Sequence, residues 1–186
     1  MTWKEYVDYF KEIVDGTERQ TPYDNEDYYE YTKLNKSRTN RWLKQNPLTE
    51  ATVAFMKNSV KTKQQWVVIT EPWCGDAAHI VPVLYLMSKL NDCINFSIQL
   101  RDKDSEIENY LTNGTRSIPL LVVRDMNGHD FFHWGPRSKQ GIEMFRKLKE
   151  SDASFEQQKI ALQNFYNKDR GRGVQDEVVE LLKSVH

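Results

Sequence analysis

Trp66-Val67-Val68-Ile69-Thr70-Glu71-Pro72-Trp73-Cys74-Gly75-Asp76-Ala77 is the stretch on which the fold turns. Its first five residues make a short, β-branched, nearly continuous apolar run, as in a strand buried within a parallel sheet. Pro72 ends that run, and from Ala77 to Leu90 the pattern is helical. Ile94, Phe96, Ile98 and Leu100 then alternate strictly, as in a half-buried strand, so the three segments form a strand-helix-strand unit. Cys74 falls at the junction of strand and helix. There, unpaired amides and the positive end of the helix dipole favour a thiolate, which gives a chemical reason for a cysteine at this point.

Downstream, Asp104 can cap a short helix reaching Leu111, Gly114 breaks it, and Leu120-Leu121-Val122-Val123 reads as a third strand. Asn127-Gly128 is a hairpin turn signal, and Phe131 to Trp134 should pair back antiparallel. Ser138 to Leu148 supplies a closing helix with Ile142, Phe145 and Leu148 on one face. The order is βαβ, α, ββα: an α/β fold with a four-stranded mixed sheet. The Trp66 strand is expected in its centre, parallel to Ile94–Leu100 and antiparallel to Leu120–Arg124. Upstream, Thr2 and Glu5 spell a capping box ahead of Trp3, Tyr6, Val7, Phe10, Ile13 and Val14 at helical spacing. The stretch 15–22 punctuates. A second helix is expected over Asp24 to Leu43, carrying Tyr28, Tyr31, Leu34, Arg38 and Trp42, its acidic start at the positive end of the dipole and its tyrosines packed on the core. Thr49 caps a third helix. After residue 150, Ser154 with Gln157 opens another helix, a polar linker spans 169–173, and Val174 to Val185 marks a terminal one. These patterns divide one domain into an N-terminal helical extension (1–63), an α/β core (64–150) and C-terminal helices (151–186).

Composition narrows the function classes. With 26 Lys and Arg against 27 Asp and Glu and no long basic run, nucleic acid is a poor partner. The N-terminus carries charges where a signal peptide needs an apolar stretch, and no apolar run is long enough to span a membrane, so the sequence reads as a soluble cytoplasmic protein. Two cysteines, Cys74 and Cys93, are too few for a disulfide framework. They also lie at opposite ends of the strand-helix-strand unit. Cys93 reads as a small hydrophobe before a strand. His79, near Cys74 and Asp76, reads as a solvated helix residue, since these three lack the fourth ligand of a zinc site. His133 reads as structural. No metal or cofactor is implied, and the oligomeric state is open.

Pro82 falls inside the helix, eight residues after Cys74, and Ser117-Ile118-Pro119 precedes the third strand. With these in place the segment from Gln65 to Lys149 resembles the thioredoxins. That family has a Trp-Cys-Gly-x-Cys motif at the strand-to-helix junction and a proline in the helix at the spacing of Pro82. It has a Gly-x-Arg-x-Ile-Pro segment matched by Gly114-Thr115-Arg116-Ser117-Ile118-Pro119, and a glycine after the last strand matched by Gly135. The resemblance implies that Cys74 is the exposed nucleophile. It implies a cis Pro119 that faces Cys74 and, with Ile118, helps hold an extended substrate backbone. Trp73 would cover the thiol edge and contact substrates beside Gly75 and Asp76.

The sequence departs from the family at two positions: Ala77 stands where the resolving cysteine belongs, and Val68 where a buried acid assists it. Both losses concern the release of a mixed disulfide. Asp76 either caps the helix or opposes a thiolate by charge repulsion. Two functions follow. One is a monothiol redox role in cell redox homeostasis, in which Cys74 exchanges with a protein or small-molecule disulfide and an external thiol, glutathione among them, resolves the adduct. The other is a redox-inactive module that binds a partner in the groove beside Pro119.

Overall fold

In the computed structural model, which describes residues 1–16 and 19–185, the chain forms seven helices and four strands among the described residues. Helices α1 (Trp3–Asp15), α2 (Glu26–Gln45) and α3 (Glu50–Asn58) precede strand β1 (Gln64–Thr70). Then come α4 (Ala77–Ser88), β2 (Ile94–Leu100), β3 (Leu120–Arg124), β4 (Asp130–Trp134), α5 (Lys139–Glu150), α6 (Phe155–Asp169) and α7 (Arg172–Val185). The sheet order is β2-β1-β3-β4, with β1 parallel to β2, antiparallel to β3, and β3 antiparallel to β4. This is the mixed four-stranded sheet of the sequence reading, with β1 inside it. Of the punctuating stretch 15–22, Thr17 and Glu18 lie outside the described residues.

The centre is apolar on both sides of β1. Trp66, Val68 and Ile69 are fully buried, and α4 lays Ile80, Val83, Leu84 and Met87 against the sheet with no exposed surface. Burying each such side chain contributes roughly 1.5 to 3 kcal/mol. Helix ends follow the local chemistry of their caps. Thr2 and Ser154 make capping boxes with Glu5 and Gln157, and Asn25 accepts from the amides of Asp27 and Tyr28. Between Ile94–Leu100 and β3 the expected short helix shrinks to a single 3-10 turn at Ile107–Tyr110, without a side-chain cap. The expected linker at 169–173 shortens too: Arg170 and Gly171 take the left-handed conformation, and α7 starts at Arg172.

Polar side chains with no apolar signature fix the added helices to the core. Gln175 of α7, fully buried, donates to the Pro47 carbonyl at 3.2 Å and accepts from the Thr49 amide at 2.8 Å, joining α7 to the start of α3. Glu177 accepts from the Trp134 indole at 2.8 Å and from the Lys139 amide at 2.7 Å, tying α7 to the end of β4 and the start of α5.

Candidate functional site

The loop between β1 and α4 carries Trp73, Cys74, Gly75 and Asp76, and the residues before β3 meet it. The Ile118–Pro119 peptide bond is cis, and the Cys74 thiol donates to the Ile118 carbonyl at 3.5 Å. Gly135 closes the same corner: its φ is +138°, and a side-chain carbon there would stand 2.3 Å from the Pro119 carbonyl oxygen. All six residues singled out from the sequence, Trp73, Cys74, Gly75, Asp76, Ile118 and Pro119, therefore lie in one corner of the fold, and all but Pro119 line a single groove.

The groove encloses about 1310 Å³, and its far wall comes from α2 and α6, outside the α/β core. α2 turns a polar face inward: Thr32 and Asn35 are fully buried, and Thr39 and Trp42 nearly so. Asn35 donates to the Pro72 carbonyl at 3.1 Å, so a side chain of α2 satisfies a backbone acceptor of the loop. The Tyr31 hydroxyl rests over Gly75, where a side-chain carbon would meet it at 2.5 Å. Tyr28, expected on the core, is 45% exposed and lines the groove with Leu34, which is 46% exposed, while of the tyrosines between 23 and 31 the buried ones are Tyr23 and Tyr29. Trp73 is half-buried. Its ring meets Tyr28 edge-on at 5.9 Å and lies under the Arg101 guanidinium at 4.6 Å.

The burial of Cys74 corrects the expectation of an exposed, ionisable thiol. The residue is 7% exposed, and burial, then the Asp76 carboxylate, push its thiol up to about 12. The amides of Ala77 and Asp76 and the charge of Arg137 pull the other way and lose. A helix dipole favours a thiolate only where solvent can share its charge, and the sulfur here is buried. Cys93 is partly exposed and directs its thiol at the Lys61 carbonyl, 3.7 Å away. It precedes β2 at the far end of the sheet, about 20 Å along the strands from the Cys74 end.

Asp76 also differs from its expected role as a cap. It sits at the cap position of α4 but makes no capping bond. One oxygen accepts from the Tyr166 hydroxyl at 2.6 Å and the other pairs with Arg137 at 2.5 Å. Arg137 and Tyr166 follow the core motifs by sixty and ninety residues, and no local pattern announces them. His79, read as solvated, is 4% exposed. It stacks on Tyr166 at 4.5 Å, accepts from the Trp42 indole at Nδ1 at 2.9 Å, and faces Gln163 across Nε2 at 3.2 Å. His133, exposed on β4, lies against Tyr110 at 5.5 Å. Among the described residues no His, Cys, Asp and Glu cluster is arranged to hold a metal, and no helix is long and apolar enough to cross a membrane.

Comparison with solved structures finds the same fold. A protein of unknown function from Pseudomonas aeruginosa aligns over 100% of this chain and 99% of its own, with a TM-score of 0.61 at 14% identity. An HIV epitope-scaffold aligns over 99% of both chains, with a TM-score of 0.58 at 15% identity. Such identities speak to fold alone. No curated protein matches the sequence. The family model described as thioredoxin matches residues 21–151, which takes in α2 as well as the sheet and the Cys74 loop, and on that match the chain belongs to the thioredoxin family.

Proposed function

We propose that this thioredoxin-like protein is a binding module: the groove beside Cys74 and Pro119 holds an extended segment of a partner, and Cys74 rests there as a neutral thiol. The observation that carries the reading is the state of the sulfur. It is buried, it donates to the Ile118 carbonyl, and with burial pushing its thiol up to about 12 the neutral form prevails at neutral pH. Ala77 and Val68 support it, because neither the resolving thiol nor the assisting acid of the family is present. The groove is wider than a small ligand needs, since such pockets run to about 1,000 Å³ at most.

The thiol tests this directly. The difference in absorbance near 240 nm between the unaltered protein and Cys74→Ser reports thiolate, and no step should occur below about pH 9. Iodoacetamide should label Cys93 at least about tenfold faster than Cys74, read by peptide mass spectrometry. Asn35→Ala, which frees the Pro72 carbonyl and loosens α2, should narrow that gap. A thiolate step near neutral pH would sink the reading.

A second reading keeps the monothiol role, because Cys74 does lie on the groove wall. In it, movement of α2 lets the Cys74 thiolate attack a partner disulfide. A mixed disulfide forms, the other sulfur leaves as thiolate, and an external thiol such as glutathione reverses the adduct. The mass of protein purified without reductant discriminates: an adduct on Cys74 favours exchange, and a free thiol favours binding alone. Position 77 is one helical turn from Cys74, with Cα atoms about 5 Å apart, so Ala77→Cys should close a disulfide to Cys74 on oxidation. Failure to form that bond would show that positions 74 and 77 are not held within disulfide reach.

A further inference from the structure

Two cations from different helices converge on one ring of the groove. The Arg38 guanidinium of α2 and the Lys159 ammonium of α6 each lie 5.2 Å from the centre of the Tyr31 ring. Two like charges each 5.2 Å from one ring centre are at most about 10 Å apart, and they repel unless something negative sits with them. The carboxylates that line the groove do not supply it. Asp76 is held by Arg137 and Tyr166, Asp102 by Arg101, and Glu30 by Lys33, while Asp27 sits in the first turn of α2 at the positive end of its dipole. Among the described residues no carboxylate is within ion-pair range of Arg38, whose guanidinium donates to the neutral Asn35 oxygen at 2.9 Å. Lys159 reaches Glu156 at 3.8 Å, a carboxylate side chain 72% exposed. The uncompensated charge of Arg38 is felt by its neighbours: together with burial it holds both His79 and Arg41 below their ordinary values.

Apolar surface adjoins these cations. Tyr28 and Leu34 lie on the same α2 face, and Phe155 at the start of α6 is 71% exposed on the opposite side. Aromatic and leucine surface left open around Arg38, which has no carboxylate partner, and Lys159, whose one partner is an exposed glutamate, is complementary to a chain that alternates apolar and acidic side chains.

We infer that the groove selects an extended acidic segment of a partner protein, one carboxylate seated between Arg38 and Lys159 over the Tyr31 ring and its apolar neighbours laid on Tyr28, Leu34 and Phe155. This rests on the groove-binding reading above and adds the charge of the occupant to it.

The full chain, immobilised, is challenged with a pool of end-blocked hexapeptides randomised at their internal positions, and the retained peptides are sequenced by mass spectrometry. Asp and Glu should be enriched about threefold over the input. The enrichment should fall to the input level in an Arg38→Gln/Lys159→Gln double variant whose melting curve is unchanged, and should survive in Arg38→Lys. In the unaltered protein it should fade between about 0.05 and 0.5 M salt, a reading that needs no variant. Peptides retained without acidic enrichment, or an enrichment indifferent to salt and to the double variant, would overturn the inference and leave groove binding intact. Retention of no peptide would overturn both.

Discussion

Gly135→Ala should cost the fold roughly 2 to 6 kcal/mol, read as a shift in the midpoint of urea unfolding. Two penalties combine. A φ of +138° is backbone that a side chain rarely tolerates, and the new carbon would sit 2.3 Å from the Pro119 oxygen and 3.2 Å from the Leu120 Cα. Both neighbours are backbone at the start of β3, so neither can rotate away; the strand itself must move. Because the carbonyl before Pro119 accepts from the Cys74 thiol, the displacement should reach the groove and raise the alkylation rate of Cys74 as well. Gly128→Ala is the control. Its φ is also positive, at +89°, but nothing lies within 4 Å, so it should cost only about 1 kcal/mol. Equal losses in the two variants would show that close approach to Pro119 is not what fixes Gly135.

The core of this fold was legible because its signals are local. The β-branched run at Trp66–Thr70, the alternation from Ile94 to Leu100, and the Asn127-Gly128 turn each state their own structure within a few residues, and the strands and turn form where they point. The far wall of the groove was not legible, for a physical reason. Hydrophobic periodicity locates a helix face that buries apolar area, but α2 buries Thr32, Asn35 and Thr39, where Asn35 finds a partner in the Pro72 carbonyl of the loop and Thr32 in the Tyr28 carbonyl of its own helix. The more apolar stripe of Tyr28, Tyr31 and Leu34 faces the groove. A pattern of aromatic and aliphatic residues thus marked a surface kept open rather than a core.

The same limit explains Cys74 and its neighbours. A helix N-terminus can be read from sequence, but the burial that decides whether a thiolate survives there is set by the tertiary fold, in which Tyr31 and Asn35, some forty residues earlier in the chain, pack on the flanking Gly75 and Pro72. Asp76 looks like a cap at its own position. Its partners Arg137 and Tyr166 come from the loop after β4 and from α6, and a charge–hydrogen-bond pair spanning ninety residues leaves no periodic trace. Exposed apolar residues such as Ile142 and Ile160, at 48% and 53%, likewise show that helical spacing on α5 and α6 does not by itself declare a buried face.

His79 should make the protein acid-sensitive through these contacts. Its ring is pushed down to about 3, chiefly by burial and then by the charge of Arg38, against an ordinary value near 6.5. The hydrogen bonds require the neutral ring: Nδ1 accepts from the Trp42 indole, so the proton is on Nε2 and is donated to Gln163, whose amide nitrogen in turn donates to Asn167. Below pH 6.5 the unfolded chain takes a proton at this position that the folded chain refuses until about pH 3. Stability is therefore whole above pH 6.5 and is lost progressively between pH 6.5 and 3, by a total on the order of 5 kcal/mol. Glu71 acts in the opposite direction, since burial raises its carboxyl and favours the protonated form in the fold, so the pH curve of the unaltered protein alone does not isolate His79. The difference from His79→Gln does. The variant should be less stable at pH 7 but flatter in acid, so that the two unfolding free energies converge near pH 4; parallel curves would mean that His79 titrates in the fold as it does in water. Trp42 belongs to α2 and Gln163 to α6, the two helices that wall the groove, and the imidazole of α4 is bonded to both. Protonation would set a second donor against the Trp42 indole and drive α2 from its seat, so peptide retention and the protection of Cys74 from alkylation should weaken in acid before the sheet unfolds.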